Sequence, residues 1–383
     1  MSASPGDDAA RSVLHVLPYV SQDGAFGGPV AVAVTQVRAL AEAGMRVRLV
    51  AGWDGVANLE IPGVDVELVR VRRVIGRSGF AFLWSPLLRA AIGRAARTVQ
   101  IAHLHYARDL FSLTAFSAVR RAGAVPILQT HGMVVPSSRL DIRLFHVFGT
   151  ARQLRHAARI LVLTDDELQA LQALAVPRSR LALTFNTVEP PSSVPPRSRD
   201  EVLFLARLSA RKRPVAFVEM AKELVTRGVR ARFTIVGPDE GEAVHVQGAI
   251  RDAGLDGVVS MEPPVPPGGG QDRIARAAIY VLPSVGEVAP MSVLEALAVG
   301  TPTVVTNDCG IAPELEKHGA ALVSGTAVPA LADSVERLLN DEARRASLAH
   351  NGRIYLNEGR SPKALARLLR GIYAEALSSD PAP

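Results

Sequence analysis

Two glutamates with seven residues between them, Glu287 and Glu295, stand in the stretch Pro283-Ser284-Val285-Gly286-Glu287-Val288-Ala289-Pro290-Met291-Ser292-Val293-Leu294-Glu295-Ala296. The apolar run from Ile279 to Leu282 reads as a buried strand, Pro283, Ser284 and Gly286 break it, and Met291 to Val299 reads as a helix. The loop therefore ends on a helix N-terminus, where freed amides and the positive end of the helix dipole favour a diphosphate. A carboxylate on either side can accept hydrogen bonds from sugar hydroxyls. The spacing puts Glu287 on the loop and Glu295 inside the helix, so the pair can hold opposite ends of one nucleotide sugar. A loop glutamate and a solvated helix glutamate give the same spacing, and the rest of the chain has to decide.

A second chemical cluster lies in Arg207-Leu208-Ser209-Ala210-Arg211-Lys212-Arg213, between a strand and the helix that Pro214 opens. Arginine meets a leaving diphosphate with a forked contact and lysine as a point charge, without a metal. Gly24, Gly27 and Gly28 follow the first strand and would let backbone amides approach a phosphate or a sugar. Their spacing is not Gly-x-Gly-x-x-Gly, so a dinucleotide-binding dehydrogenase gains little support, and a plain turn explains them equally well. His131 closes a strand in Gln129-Thr130-His131-Gly132 and is preferred over His103, His105 and His146 for that position; its ring suits a sugar hydroxyl, its carbonyl a developing positive charge. Asn186, in Phe185-Asn186-Thr187-Val188, leads out of the last strand of the first half. Asp165-Asp166-Glu167 behind Thr164 is accounted for by helix capping. No Asp-x-Asp pair ends a strand and no His and carboxylate set has metal-ligand spacing, so metal-independent chemistry without a cofactor is expected. Cys309 is the only cysteine and reads as a small loop residue, not a nucleophile.

Strands are expected at Val13–Leu17, Arg46–Ala51, Val64–Val69, Ile101–Leu104, Val125–Gln129, Arg159–Leu163 and Leu181–Phe185, with helical patterns at Val30–Ala43, Leu83–Arg97, Leu110–Arg121 and Leu140–Ala158. The alternation repeats from Val202 to Val323, ending in helical patterns up to Leu377. Strand alternating with helix argues for parallel sheets covered on both faces. The segment Glu189 to Ser198, rich in Pro and Ser, reads as a linker. The expected organisation is a Rossmann-like domain over residues 1–190 that binds the acceptor, a second over 191–360 that binds the nucleotide sugar, and a helix and tail at 361–383 that crosses back to the first. Ligands collect beyond the carboxyl ends of such strands, so the two sheets should face one cleft.

The 383 residues suffice for two cores, and 48% hydrophobic with 21% charged residues marks a folded chain. No apolar run reaches the roughly 18 residues of a spanning helix, and the acidic start lacks a signal-peptide pattern; a cytoplasmic protein is expected. The net charge is +6, and the basic excess lies before Pro190, where arginine is the only basic residue. Arg70, Arg72, Arg73, Arg77, Arg89, Arg94 and Arg97 punctuate apolar segments, a pattern that suits an anionic membrane surface at the inner face of the membrane, a phosphate-bearing acceptor or a plain solvated face. With 5% aromatic residues and no reader motif, nucleic acid is not expected as a partner.

Taken together, these residues resemble the family-4 retaining glycosyltransferases of GT-B architecture. The resemblance spans nearly the whole chain: the Gly27-Gly28 loop, His131-Gly132, Asn186-Thr187-Val188, Arg207 with Lys212, Val236-Gly237, Pro283-Ser284 through Glu287, Glu295-Ala296, Gly300-Thr301-Pro302 and Glu314. It implies that Glu287 binds hydroxyls of the donated sugar, Glu295 the ribose, and Arg207 and Lys212 the diphosphate. Backbone around Pro290, Met291, Ser292 and Val293 would assist, His131 would lie beside the transferred sugar, and Gly27, Gly28, Asn186 and Gly237 would shape the donor site. The donor would be a UDP-sugar or GDP-sugar and the acceptor a glycan or lipid-linked sugar of cell-surface polysaccharide or glycolipid assembly, with the anomeric configuration retained. Val288-Ala289 stand where the family commonly has Gly and Phe, Ala206 where Gly is common, and a Pro-rich loop from Pro263 replaces a Gly-containing turn. A GT-B relative with epimerase or phosphorylase chemistry, or a non-catalytic nucleotide-sugar binding module, would share much of the pattern.

Overall fold

The computed structural model describes residues 12–21, 27–73, 83–136 and 145–378. Gly24, Arg77 and the first residues of the helix expected from Leu140 lie outside them. The chain divides into two compact units, residues 1–185 with 362–383, and residues 186–361.

In the first unit β1 (Ser12–Val20), α1 (Gly27–Glu42), β2 (Arg46–Trp53) and β3 (Val64–Arg70) precede a short antiparallel hairpin, β4 (Arg72–Arg73) with β5 (Leu83–Trp84). Then come α2 (Leu88–Ala96), β6 (Ile101–His105), α3 (Leu110–Ala122), β7 (Val125–Gln129), a π-helical turn at His146–Thr150 continuing into α4 (Ala151–His156), β8 (Arg159–Val162), α5 (Asp165–Ala173) and β9 (Leu181–Leu183). The strands form one sheet in the order β3-β2-β1-β6-β7-β8-β9, every neighbouring pair parallel. Helices cover both faces, so β1 runs Val13, Leu14, Val16, Leu17 with no polar alternation between faces. α2 starts later than the sequence pattern suggests, because Leu83 and Trp84 pair with the preceding strand and Pro86 follows. Asp109 caps α3 by accepting from Ser112 N, and Gly123 ends it in a left-handed turn at φ 85°.

The second unit holds β10 (Glu201–Leu205), α6 (Pro214–Thr226), β11 (Arg232–Val236), α7 (Ala243–Asp252), β12 (Val259–Glu262), α8 (Gly270–Ala275), β13 (Ile279–Leu282), α9 (Met291–Val299), β14 (Thr303–Thr306), α10 (Ala312–Lys317), β15 (Leu322–Ser324), α11 (Val328–Asn340) and α12 (Glu342–Asn357). Its sheet is also parallel, in the order β12-β11-β10-β13-β14-β15. The strand order reverses between β10 and β13. In open parallel sheets the carboxyl ends of two such neighbours are where ligands commonly bind.

The boundary falls between Phe185 and Asn186, not after Pro190, and the Pro-rich segment is no free linker. Val188 is buried in the core of the second unit, Gln271 donates to the Glu189 carbonyl at 2.9 Å, and Ser198 N donates to the Arg276 carbonyl at 2.7 Å. Proline-rich composition reports the absence of regular structure, not the absence of packing. α13 (Pro362–Ser378) belongs to the first unit, where Leu365, Ala366, Leu369, Ile372, Tyr373 and Ala376 join the core under α1. Each fully buried Leu or Ile there contributes about 1.5–3 kcal/mol.

Candidate active site

The loops after β10 and β13 bring the expected charges together at the switch point of the second sheet. A 3-10 turn at Ala210–Lys212 follows β10, and Val285 N donates to the Arg211 carbonyl at 2.9 Å, tying the two loops backbone to backbone. That tie sets Lys212 Nζ 2.9 Å from Glu287 Oε2, with Arg211 Nε 3.1 Å from Oε1. The Lys212 and Glu287 side chains are 10% and 7% exposed while that of Arg211 is 54% exposed, so a buried ion pair sits under a solvated arginine. The Arg211 contact is ionic without a directed hydrogen bond, and Glu287 Oε1 is a buried acceptor left without one. Ser284 Oγ, on the same loop, is likewise buried and unpartnered. Buried polar atoms rarely stay unpaired without a ligand or a function to account for them.

Burial lowers the pKa of the Lys212 ammonium, Glu287 opposes that shift, and Arg211 and Arg207 add to it. Two cations of this loop, Lys212 and Arg211, therefore share a single carboxylate. Arg207 turns to Glu240, 2.6 Å away, and Arg213, in a left-handed conformation at φ 55°, donates to the carbonyls of Pro283 and Thr326. The Glu287 loop is pinned from its other side as well: Gly286 N donates to Asp308 Oδ2 at 2.9 Å, and Gly310 N to the Glu287 carbonyl at 2.6 Å.

α9 begins at Met291 behind Pro290, with no side chain capping it. Val293 N and Leu294 N reach back to the Pro290 carbonyl, so the amides at the tip are those of Met291 and Ser292, beside the Glu287 loop. The Ser292 hydroxyl lies 2.7 Å from the Tyr280 hydroxyl and is committed to the core. Glu295 lies one turn into the helix with its carboxylate against Gly270, where a Cβ would come within 2.8 Å of Oε2. Burial holds that carboxyl above the usual range. Asn186 and Gly237 act on the backbone: Asn186 Nδ2 donates to the Ala289 carbonyl at 3.1 Å and so steadies the approach to α9, and a Cβ at Gly237 would fall 1.9 Å from the Ala206 carbonyl oxygen. Cys309 is buried and its thiol is pushed up to about 11, which keeps it protonated.

In the first unit His131 follows β7 with φ 50°, and Gly132 continues the left-handed turn at φ 71°. Such a conformation costs a non-glycine residue about 1–3 kcal/mol, and Glu167 supplies the restraint. Its buried carboxylate accepts from Thr130 Oγ1 and Gly132 N at 2.6 Å and from Leu163 N at 2.8 Å. Gly27 and Gly28 open α1, and a Cβ at Gly28 would meet nothing within 4 Å, so packing within the unit does not demand glycine there.

Two sequence families match this chain in tandem, "Glycosyl transferase 4-like domain" over residues 27–187 and "Glycosyl transferases group 1" over residues 186–355. The chain belongs to the family-4 glycosyltransferases, of GT-B architecture. The chain is 28% identical over 243 residues to the alpha-D-kanosaminyltransferase of Streptomyces kanamyceticus, covering 58% of this chain and 61% of that protein, less than two thirds of its length. Against the 2-deoxystreptamine glucosyltransferase of the same organism it is 26% identical over 379 residues, 90% of this chain and 97% of the relative. Among solved structures it shares the fold of HepE from Anabaena in complex with UDP, with TM-score 0.70 at 14% identity over 94% of this chain and 98% of that one.

Of the residues singled out in the sequence, Lys212 and Glu287 meet directly, Arg207 on the same loop pairs with Glu240, and Glu295 lies on the helix that the Glu287 loop leads into. Asn186, Gly237 and Ser292 hold structure around them. Sequence reasoning passed over Arg211, masked by its charged neighbours, and Asp308, whose partner lies 22 residues away. It also assigned Glu167 to helix capping alone. Thr164 does cap that helix, accepting from Glu167 N at 3.2 Å, while the Glu167 carboxylate turns inward to hold the His131 turn.

Proposed function

We propose that this glycosyltransferase moves a sugar from a nucleoside diphosphate to a hydroxyl of a glycan or lipid-linked acceptor, with retention of anomeric configuration and without a metal ion. The observation that carries the reading is the buried Lys212 and Glu287 pair, flanked by Arg211 and Arg207, beside the uncapped start of α9. As the bond from the anomeric carbon to the diphosphate breaks, negative charge grows on the β-phosphate. Lys212, Arg211 and the amides of Met291 and Ser292 are the groups that meet such a charge, held in place before it develops. Glu287 Oε1, a buried acceptor without a hydrogen bond, takes one from a hydroxyl of the donated sugar. Glu295 is the acceptor for the ribose, a role that carboxylates at this kind of switch point serve in nucleotide sites. The acceptor attacks from the face the diphosphate leaves and passes its proton to a phosphate oxygen. HepE binds UDP, which supports a uridine nucleotide among the candidates.

Isothermal titration of the full chain with UDP, GDP and ADP, on the wild type and on Glu295→Gln, tests the site. One nucleoside diphosphate should bind, and Glu295→Gln should weaken it about 10- to 100-fold, the worth of one charge-assisted hydrogen bond. No binding of any of the three, or an unaltered affinity in the variant, would show that the donor lies elsewhere. Retention is read from the anomeric proton of the product by NMR.

A further inference from the structure

Arg207 is one of the two cations expected at the donor's diphosphate, and the fold gives it a carboxylate. Its Nη1 donates to Glu240 Oε1 at 2.6 Å. Glu240 stands on the loop that follows β11, beside the Arg207 loop because β10 and β11 are neighbours in the sheet. Past the ends of both strands the two loops stay joined. Leu208 N donates to the Pro238 carbonyl at 2.8 Å, and Glu240 N to the Leu208 carbonyl at 3.0 Å. Gly237 permits that approach, since a Cβ there would run into the Ala206 carbonyl. Asp239 Oδ1 accepts from the amides of Gly241, Glu242 and Ala243 and closes the turn that holds Glu240. The backbone of both loops therefore presents the carboxylate to Arg207.

The two ion pairs of this cationic loop differ in how firmly they are held. The Lys212 and Glu287 side chains are 10% and 7% exposed, and parting them would leave a buried charge without a partner. Those of Arg207 and Glu240 are 33% and 28% exposed. Water screens such a pair and solvates either member when they separate, so opening it costs little. Arg207 nevertheless lies within electrostatic reach of Lys212, whose ammonium it helps to lower. It stands next to the charges that mark the phosphate site, in a pair that can be exchanged. A diphosphate brings a guanidinium more charge and a forked contact, whereas Glu240 brings a single oxygen on a backbone already held in place.

We propose that Glu240 competes with the donor's diphosphate for Arg207. The diphosphate takes the guanidinium when the donor binds, and Glu240 takes it back as the nucleoside diphosphate leaves, which keeps the spent nucleotide from being held too tightly. Glu240 is thus a positioning residue that acts through Arg207. The inference rests on the reading that this switch point binds a nucleoside diphosphate.

Titration of the full chain at low salt with UDP, GDP and ADP, each beside its parent nucleoside, tests it. In Glu240→Gln the nucleoside diphosphate that binds the wild type should bind about fivefold tighter, the upper worth of an exposed ion pair, and should inhibit transfer more strongly by the same factor. The parent nucleoside, which has no diphosphate, should bind both proteins alike. Arg207→Gln should weaken the nucleoside diphosphate, and adding Glu240→Gln to it should then change nothing, because the group competed for is gone. Unaltered or weaker binding in Glu240→Gln, the result expected of a glutamate that only braces the loop, overturns the proposal. Equal tightening with Arg207→Gln in place, or equal tightening of the nucleoside, overturns it as well. Failure of all three nucleoside diphosphates to bind the wild type removes the donor site itself and the inference with it.

Discussion

Replacing Lys212 by methionine keeps the length of the stem and removes only the charge that faces Glu287. At 2.9 Å two unit charges attract by about 6 kcal/mol at an effective dielectric constant near 20, and desolvating both groups offsets most of that. Removing one partner of a buried pair costs about 3–5 kcal/mol, because the other is left charged and unpaired. Arg211, 3.1 Å from the second oxygen and half exposed, can take over part of the neutralisation, so a loss of about 2–3 kcal/mol is expected for Lys212→Met. Glu287→Gln should lose a similar amount, and Lys212→Met with Glu287→Gln, which leaves no buried charge, should return to within about 1 kcal/mol of wild type, a coupling energy of about 3–5 kcal/mol in the cycle. All three variants should lose transfer by about 10²–10³-fold in kcat, so stability returns where activity does not. Urea unfolding is followed by far-UV circular dichroism for the second unit, because both tryptophans, Trp53 and Trp84, lie in the first; their fluorescence follows the first unit separately, as a chain of two units requires. A single variant as stable as wild type, or a double variant no better than Lys212→Met, would refute the account of the pair.

Asp109, buried at the start of α3, has its carboxyl pushed up to about 6 by burial. The folded protein therefore holds that proton more tightly than the unfolded chain does, and the stability this gives below about pH 4 is lost as the pH rises through 6. Asp109→Asn keeps an acceptor for Ser112 N and should stabilise the first unit by about 2–3 kcal/mol at pH 8, with the gain gone near pH 4; tryptophan-detected urea titrations at the two pH values decide it. No helix among the described residues is long and apolar enough to cross a membrane, and Arg94 is paired with Glu67. If the remaining base of the first unit serves an anionic surface, the protein should pellet with anionic liposomes at low salt and lose that on replacement of Arg70, Arg72 and Arg73, whereas unchanged pelleting in the variant would exclude those arginines.

The sequence by itself determined the two parallel sheets, because strands buried on both faces leave unbroken apolar runs and the helices between them repeat at a different period. It also determined that carboxylates and cations follow β10 and β13, since Arg207 to Arg213 and Pro283 to Glu287 break the apolar runs that make those strands. Only the tertiary structure decided what these groups do. Lys212 and Glu287 are 75 positions apart, and nothing local says that the adjacency of β10 and β13 makes them one buried pair while Arg207 turns to Glu240. Glu167 looked like a helix cap because capping is a short-range pattern, and its long-range bonds to Thr130 and Gly132 leave no trace in spacing. His103 and His105 were set aside, and His15 was not singled out, for the same reason. Alternate positions on a strand show that two side chains share a face, but the register of β1 against β6 and the docking of Tyr373 from the far end of the chain are what turn separate histidines into one hydrogen-bonded line.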